Sequence, residues 1–125
     1  MISGLGARVH LFVRPADREA FIGLFHEVLQ CTVRELEFGL PHPIVLVSFP
    51  DGSALSVEFN ADTPTQRSTL SGAWIEFRTA DPQNVQRKLL DAGVEHFSHP
   101  ASPHRYFRAP GGQVFRVLDL KYAGP

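Results

Sequence analysis

The first half of the chain alternates apolar and polar residues in a pattern that predicts one strand, one helix and three further strands. In residues 8–14 every second residue is valine or leucine, which is typical of a half-buried strand whose other face carries His10 and Phe12. In residues 15–29 apolar side chains recur at spacings of three and four, as in an amphipathic helix. Three β-rich segments separated by turn residues follow, at residues 32–38, 44–49 and 54–59. The order predicted for this half is βαβββ.

The second half of the chain repeats this order. Residues 73–79 alternate again, and they place Trp74 and Glu76 on one face of a strand. Asp81 is a good N-cap, Pro82 suits a first helical turn and Gly93 is placed to end the helix. The remaining strands are predicted at residues 94–97, 106–108 and 113–120.

A polar segment separates the two halves. Residues 61–71 are rich in Thr, Ser, Pro, Asp and Gln, which is typical of a connecting loop. We therefore predict one domain over residues 1–125, with a first module at 5–60, a linker at 61–71 and a second module at 72–122. Each module has a sheet with one helix-covered face and one bare face, and a bare face must be covered by the other module or by another subunit. The expected fold class is α+β, with two mixed sheets curled around a central, ligand-binding cleft and with the helices outside.

Composition and charge limit the partners. Lys and Arg (12) nearly balance Asp and Glu (13), so the chain has no long-range attraction for nucleic acid or for an anionic membrane surface. No apolar window approaches the length of a membrane span. The single Cys31 cannot form an intrachain disulfide, which fits a reducing compartment. We expect no nucleic-acid or membrane partner and a cytoplasmic location.

Four segments of the chain resemble a known superfamily in their order and spacing. They are HLFVRPAD at residues 10–17, LFHEVL at 24–29, LDAGV at 90–94 and YFRAPGGQVFR at 106–116. Together they resemble the vicinal-oxygen-chelate superfamily, which includes glyoxalase I, fosfomycin-resistance enzymes, extradiol dioxygenases, methylmalonyl-CoA epimerase and bleomycin-resistance proteins. The resemblance covers nearly the whole chain.

The resemblance implies four positions at which metal-using members carry their ligands. The first strand of each module there supplies a His or similar ligand, and the last strand supplies a carboxylate. Counting back from the aspartate after each first strand places His10 and Trp74 at the first pair of positions. Arg116 occupies the carboxylate position of the second module, and a guanidinium offers no lone pair to a cation. In the first module, aligning the turns puts Ser56 opposite Arg116, whereas a shift of two residues puts Glu58 there, and both alternatives stay open.

The kept ligands are therefore His10 alone, or His10 with Glu58. Glu76 could complete a set of three, which is the number that a catalytic transition metal normally requires. In the alternative, Glu58 and Glu76 pair with arginine side chains, and a guanidinium replaces the metal cation. We expect no metal and no other cofactor, with a divalent metal held by His10, Glu58 and Glu76 as the alternative.

Two main hypotheses for the function follow. In the first, the protein is a homodimer that binds a small aromatic or carboxylate-bearing molecule without metal, as in the bleomycin-resistance-like members. Trp74 could stack on a planar ligand or pack between the modules, and three histidines within residues 94–105 are expected at the rim. The residues expected to contact the ligand are His10, Phe12, Ser56, Glu58, Trp74, Glu76, Tyr106 and Arg116.

In the second hypothesis the protein is a metal-dependent lyase, isomerase or dioxygenase, whose ion polarises paired substrate oxygens. That function requires His10, Glu58 and Glu76 together. A third possibility is a structural or interaction module, because a fold does not determine a function. The sequence assigns no catalytic residue.

Overall fold

The structure is a computed structural model that describes residues 1–64, 72–100 and 103–123. The chain divides into two compact units, Met1–Pro64 and Thr65–Pro125. In the described residues, each unit contains one four-stranded mixed sheet and one helical segment. The predicted α+β class and the repeated βαβββ order are therefore confirmed.

The first unit follows the predicted order. Strand β1 leads into a 3₁₀ turn, the short helix α1 and a π-helical turn, and three strands follow. The bounds are β1 Arg8–Val13, 3₁₀ turn Pro15–Asp17, α1 Arg18–Gly23, π-helical turn Leu24–Val28, β2 Thr32–Leu36, β3 Ile44–Ser48 and β4 Ala54–Phe59. The strands lie in the order β1-β4-β3-β2, with β1 parallel to β4 and the other pairs antiparallel.

The helical segment of the first unit differs from the prediction in its hydrogen bonding. We predicted one regular helix over residues 15–29, but its last turn is wide. The amide of Leu29 donates to the carbonyl of Leu24 at 2.9 Å, which is the spacing of a π-helix. Phe21 and Phe25 are both buried, and their ring centroids lie 4.7 Å apart. The segment therefore still presents an apolar stripe to the sheet, as predicted.

The core of the first unit lies between the helical segment and one face of its sheet. The ring of Phe21 meets the ring of Phe59 edge-on, at 6.3 Å between centroids. The buried side chains on this face of the sheet are Leu11, Val13, Val45, Val47, Leu55, Val57 and Phe59. Because successive side chains of a strand point to opposite faces, His10, Ser56 and Glu58 share the other face.

The second unit has the same topology. Its elements are β5 Trp74–Thr79, α2 Pro82–Asp91, β6 Glu95–Ser98, β7 Arg105–Arg108 and β8 Val114–Asp119. The strand order is β5-β8-β7-β6, with β5 parallel to β8. The side chain of Asp81 accepts a hydrogen bond from the amide of Asn84 at 3.2 Å, so the predicted N-cap is confirmed. Gly93 has a φ of +74° just after the helix, a conformation in which glycine is favoured.

Aromatic rings form much of the core of the second unit. The ring centroid of Phe115 lies 5.3 Å from that of Phe77 and 5.6 Å from that of Phe107. Leu89 of α2 is fully buried. Strand alternation places Glu76 and Arg116 on the opposite face of this sheet.

The predicted linker is described only in part. Asn60 begins a turn, because its side-chain oxygen accepts from the amide of Asp62 at 2.8 Å and its carbonyl accepts from the amide of Thr63 at 3.1 Å. The rest of the predicted linker, residues 65–71, lies outside the described residues. Within the described parts of the chain, neither helix has the length and apolar character that crossing a membrane requires.

Candidate functional site

The first candidate site is a cluster around His10, which we call the His10 face and define by His10, Phe12, Ser56 and Glu58. The parallel pairing of β1 with β4 sets His10 opposite Ser56 and Phe12 opposite Glu58. The Nδ1 atom of His10 lies 2.7 Å from the Ser56 hydroxyl, and Nε2 lies 3.6 Å from Oε1 of Glu58. The ring of Phe12 meets the imidazole edge-on, at 5.0 Å between centroids.

These contacts orient the imidazole of His10. A carboxylate beside Nε2 favours a proton on that nitrogen, which leaves Nδ1 to accept the hydroxyl proton of Ser56. The other carboxylate oxygen of Glu58 accepts a hydrogen bond from the side-chain amide of Asn60 at 3.4 Å. The His10 face can therefore bind a polar group of a ligand with an imidazole and a carboxylate that are fixed by their neighbours.

The second candidate site is built around a buried ion pair, and we call it the Arg116 face, defined by Trp74, Glu76, Tyr106 and Arg116. Strand pairing sets Arg116 between Glu76 on β5 and Tyr106 on β7. Nε of Arg116 donates to Oε2 of Glu76 at 2.9 Å, and Nη2 donates to the same oxygen. Nη1 donates to the Tyr106 hydroxyl at 3.4 Å.

The guanidinium of Arg116 is a permanent cation in a buried place. Its side chain is only 6% exposed, whereas that of Glu76 is 38% exposed. Burial alone lowers the pKa of Arg116, but the hydrogen bond and charge of Glu76, with a smaller contribution from Tyr106, outweigh burial and hold that pKa above its ordinary value. The guanidinium of Arg116 therefore keeps its positive charge.

Aromatic rings surround this cation. The central carbon of the Arg116 guanidinium lies 5.9 Å from the ring centroids of Trp74 and Tyr106 and 6.0 Å from that of Tyr122, within cation–π range. The ring of Tyr106 also lies 5.0 Å from Trp74 and stacks on Phe97 at 5.8 Å. Trp74 nevertheless remains 43% exposed. An exposed indole that packs on the buried ring of Tyr106 can stack on a planar molecule.

Three members of this cluster were not among the predicted site residues. They are Phe97, His99 and Tyr122, and the ring of His99 lies 5.6 Å from that of Trp74 although we expected it at the rim. Phe97 pairs with Tyr106 across β6 and β7, so alternation would have indicated it once the register was known. The sequence carries no signal for Tyr122, because the turn after β8 brings it back.

The other two histidines of residues 94–105 have protein partners. Nδ1 of His96 lies 2.6 Å from the Arg105 guanidinium, and Nε2 of His104 lies 2.9 Å from the hydroxyl of Tyr122. These contacts position side chains within the second unit, and they do not bring the three histidines together as one cluster.

The strand register shows what each of the two alternative alignments, with Ser56 or with Glu58 as the counterpart of Arg116, means in the structure. His10 pairs with Ser56, whereas Arg116 pairs with Glu76, two residues beyond Trp74. If His10 corresponds to Trp74, the carboxylate position of the first unit is Glu58. Aligning the turns instead makes Ser56 the counterpart. Because both side chains contact His10, the cluster has the same members under either alignment.

The donor set does not fit the resident metal of metal-using relatives. In the described residues, no three His, Cys, Asp or Glu side chains form a group that could hold a metal ion. His10 and Glu58 supply two donors, Trp74 and Arg116 supply none, and Oε2 of Glu76 already accepts from Arg116. A site formed by His10, Glu58 and Glu76 therefore stays a prediction.

Comparison with solved structures finds the same fold elsewhere. A glyoxylase/bleomycin resistance protein/dioxygenase domain from Frankia sp. EAN1pec is 17% identical with a TM-score of 0.68, covering 94% of this chain and 97% of that one. The antibiotic-binding protein TnmS3 from Streptomyces sp. CB03234 is 16% identical with a TM-score of 0.65, covering 95% and 98%. The fosfomycin resistance protein FosX from Listeria monocytogenes is 16% identical with a TM-score of 0.68, covering 94% and 91%.

At such low identity these likenesses establish the fold and leave the activity open. No model of a known protein family and no curated protein matches the chain. The repeated βαβββ unit, the β1-β4-β3-β2 order that recurs as β5-β8-β7-β6, and the matches over almost the full length agree with one another. The chain has the fold of the vicinal-oxygen-chelate superfamily, the glyoxalase, bleomycin-resistance and dioxygenase domains.

Proposed function

We propose that the protein binds a small planar organic molecule and that it does so without a metal ion. The observation that carries this proposal is the exposed indole of Trp74, which packs on the buried ring of Tyr106 in the Arg116 face. A large aromatic side chain buries much apolar surface when a planar molecule covers it, so the exposed indole of Trp74 favours binding of a planar ligand. The guanidinium of Arg116 contacts the rings of both Trp74 and Tyr106 and so helps to hold them in position.

The donor chemistry supports the metal-free part of the proposal. The guanidinium of Arg116 contacts the ring of Trp74, and a guanidinium cannot be exchanged or take a substrate oxygen as a ligand. Binding requires no such chemistry. The structural neighbour TnmS3, which is named as an antibiotic-binding protein, supports the use of this fold to hold a small molecule.

The His10 face supplies further ligand contacts in this proposal. Phe12 and His10 are exposed there, and Ser56 and Glu58 are half-buried behind them. Together they offer an aromatic edge beside hydrogen-bonding groups. Their part in binding is tested separately, because His10→Ala and Phe12→Ala should each weaken the binding of a ligand to the His10 face.

A homodimer in the cytoplasm completes the proposal. Phe12 leaves apolar surface exposed on the face of the first sheet that no helix covers, and we expect a second subunit to cover the part of this face that the ligand leaves open. The single cysteine and the balanced charge favour a reducing compartment without a charged surface partner. Light scattering at micromolar concentration should give twice the mass of the chain, and a monomer mass would contradict the dimer.

The test of binding uses Trp74 itself, because it is the only tryptophan of the chain. A library of planar organic molecules is screened by tryptophan fluorescence, and hits are checked by thermal shift with and without a chelator. We expect a hit to quench Trp74 and to stabilise the protein by about 2.7 kcal/mol at 100 times its Kd, with the chelator making no difference. Trp74→Ala should abolish the stabilisation.

Phe38→Ala is the matched control, since Phe38 is an aromatic residue that is 66% exposed outside both faces. It should leave binding unchanged. Stoichiometric metal in protein purified without chelator, lost on His10→Ala, would contradict the metal-free function and would favour the metal-dependent enzyme instead.

A further inference from the structure

The pairing of Arg116 determines what charge its face shows to a ligand. Two of its nitrogens donate to one oxygen of Glu76, and a third donates to the Tyr106 hydroxyl. The arginine side chain is also 6% exposed, so solvent barely reaches it. An anionic ligand would therefore meet a cation that is already neutralised and that lies out of reach.

The other arginines on this face of the second sheet do not supply a free positive charge in place of Arg116. Nε of Arg108 lies 3.3 Å from Oε2 of Glu95, so that charge is also paired. Arg78 donates to two main-chain carbonyls that follow β8, at 3.1 and 2.9 Å. It lies four residues along β5 from Trp74, which is about 13 Å at the rise of a strand. Neither guanidinium offers a free positive charge beside the indole of Trp74.

Glu76 leaves one acceptor beside Trp74. Oε2 accepts both bonds from Arg116, and in the described residues no donor contacts Oε1. Glu76 follows Trp74 by two residues on the same face, about 7 Å along the strand, which a fused aromatic ring system can span. On the binding function proposed above, we infer that the molecule held against Trp74 is an uncharged planar aromatic whose N–H or O–H group donates to Oε1 of Glu76.

Four naphthalene probes should differ in their affinity for the Arg116 face. Naphthamide is uncharged and carries an N–H donor, so it should bind most tightly. Naphthoate loses its hydration and gains no free cation, and we expect it to bind about tenfold more weakly. Naphthylmethylammonium loses hydration beside the Glu76–Arg116 pair, whose net charge is near zero, so it should also bind about tenfold more weakly. Methylnaphthalene has no donor for Oε1 of Glu76, and we expect the same loss of about tenfold.

The measurement follows the single indole N–H of Trp74 in proton–nitrogen correlation spectra during titration with each probe. The expected result is a saturable shift with naphthamide at the lowest concentration. Binding of naphthoate or the ammonium probe as tightly as naphthamide would overturn the inference and would leave the binding function standing. If no probe shifts the indole signal, the proposed function fails and the inference fails with it.

Glu76→Gln tests the cause of the order, because glutamine keeps the shape and one oxygen that accepts from Arg116, replaces the free Oε1 acceptor with an NH₂ donor and removes the charge that neutralises Arg116. Naphthoate should then gain about tenfold relative to naphthamide. Glu95→Gln is the matched control, since it removes one negative charge from the same sheet face beside Arg108 and away from Trp74. An equal naphthoate-to-naphthamide ratio in the two variants would overturn the inference. If Glu76→Gln does not fold, the four probes on the wild-type protein still decide.

Discussion

The ion pair between Glu76 and Arg116 should be worth more to stability than an ordinary surface pair. Glu76→Ala leaves a guanidinium that is only 6% exposed without its carboxylate. Loss of one partner of a fully buried pair costs about 3–5 kcal/mol. Because the Glu76 side chain is 38% exposed, its removal lets water approach the arginine, and we expect the free energy of unfolding to fall by about 2–3 kcal/mol.

A double-mutant cycle separates this coupling from the other roles of the two side chains. Arg116→Met removes the charge but keeps the length of the side chain, and Glu76 can then turn toward solvent. The lost contacts with the rings of Trp74 and Tyr106 should cost about 1–2 kcal/mol. The double variant leaves no buried charge unpaired, so it should cost no more than Glu76→Ala alone. The resulting coupling energy is therefore at least about 1.5 kcal/mol.

The assay is urea unfolding of the four proteins by circular dichroism, at low salt and at about 1 M salt. Glu95→Ala is the control, because Glu95 pairs with buried Arg108 but is itself 60% exposed and should matter less, about 1 kcal/mol. Additive effects within about 0.5 kcal/mol would refute the coupling. So would a coupling that high salt removes, because salt screens exposed pairs and spares buried ones.

Three further predictions concern single residues. Burial raises the pKa of the Cys31 thiol, so its thiolate fraction is reduced and iodoacetamide should label it more slowly in the native protein than in the urea-unfolded chain, as mass spectrometry would show. Hydrogen bonds from Ser53 lower the pKa of Asp51, so their stabilisation is present at neutral pH and is lost as pH falls through that lowered pKa. Ser53→Ala should raise the pKa in an NMR titration, and an unchanged value would contradict this. Asp81→Ala removes the cap on the amide of Asn84 and should cost about 1 kcal/mol in urea unfolding, whereas Asp81→Asn should cost less.

The positions of helices and strands could be predicted because they depend on local patterns. Strand β4 has the predicted bounds, Ala54–Phe59, and the helix that follows Asp81 begins at Pro82 as its cap signal indicated. The π-helical end of the first helical segment could not be predicted, since it depends on how the rings of Phe21 and Phe25 pack against each other in the core. Alternation also indicated that His10 and Phe12 share one strand face and that Trp74 and Glu76 share another, because the side-chain period of a strand is two.

The contacts within the two sites required the register between strands, which the sequence left open. A carboxylate partner for Arg116 was expected on burial grounds, and parallel pairing of β5 with β8 selects Glu76 for this role. Ser56 and Glu58 were alternatives for one position, and the structure brings both of them to His10. Tyr122 was missed because its place depends on a turn outside any periodic segment.

The same backbone unit carries two different chemistries. In the first unit, strands β1 and β4 hold an imidazole between a hydroxyl and a carboxylate, groups that accept and donate hydrogen bonds. In the second unit, β5 and β8 hold a guanidinium whose charge is fixed and whose carboxylate partner is supplied by the chain itself. An arginine at a position that the family resemblance assigns to a metal ligand would by itself suggest a receptor for anions. Because Glu76 neutralises Arg116 and the sheet buries it, we expect the Arg116 face to select its ligand by ring stacking on Trp74 and by one hydrogen bond, with little contribution from net charge.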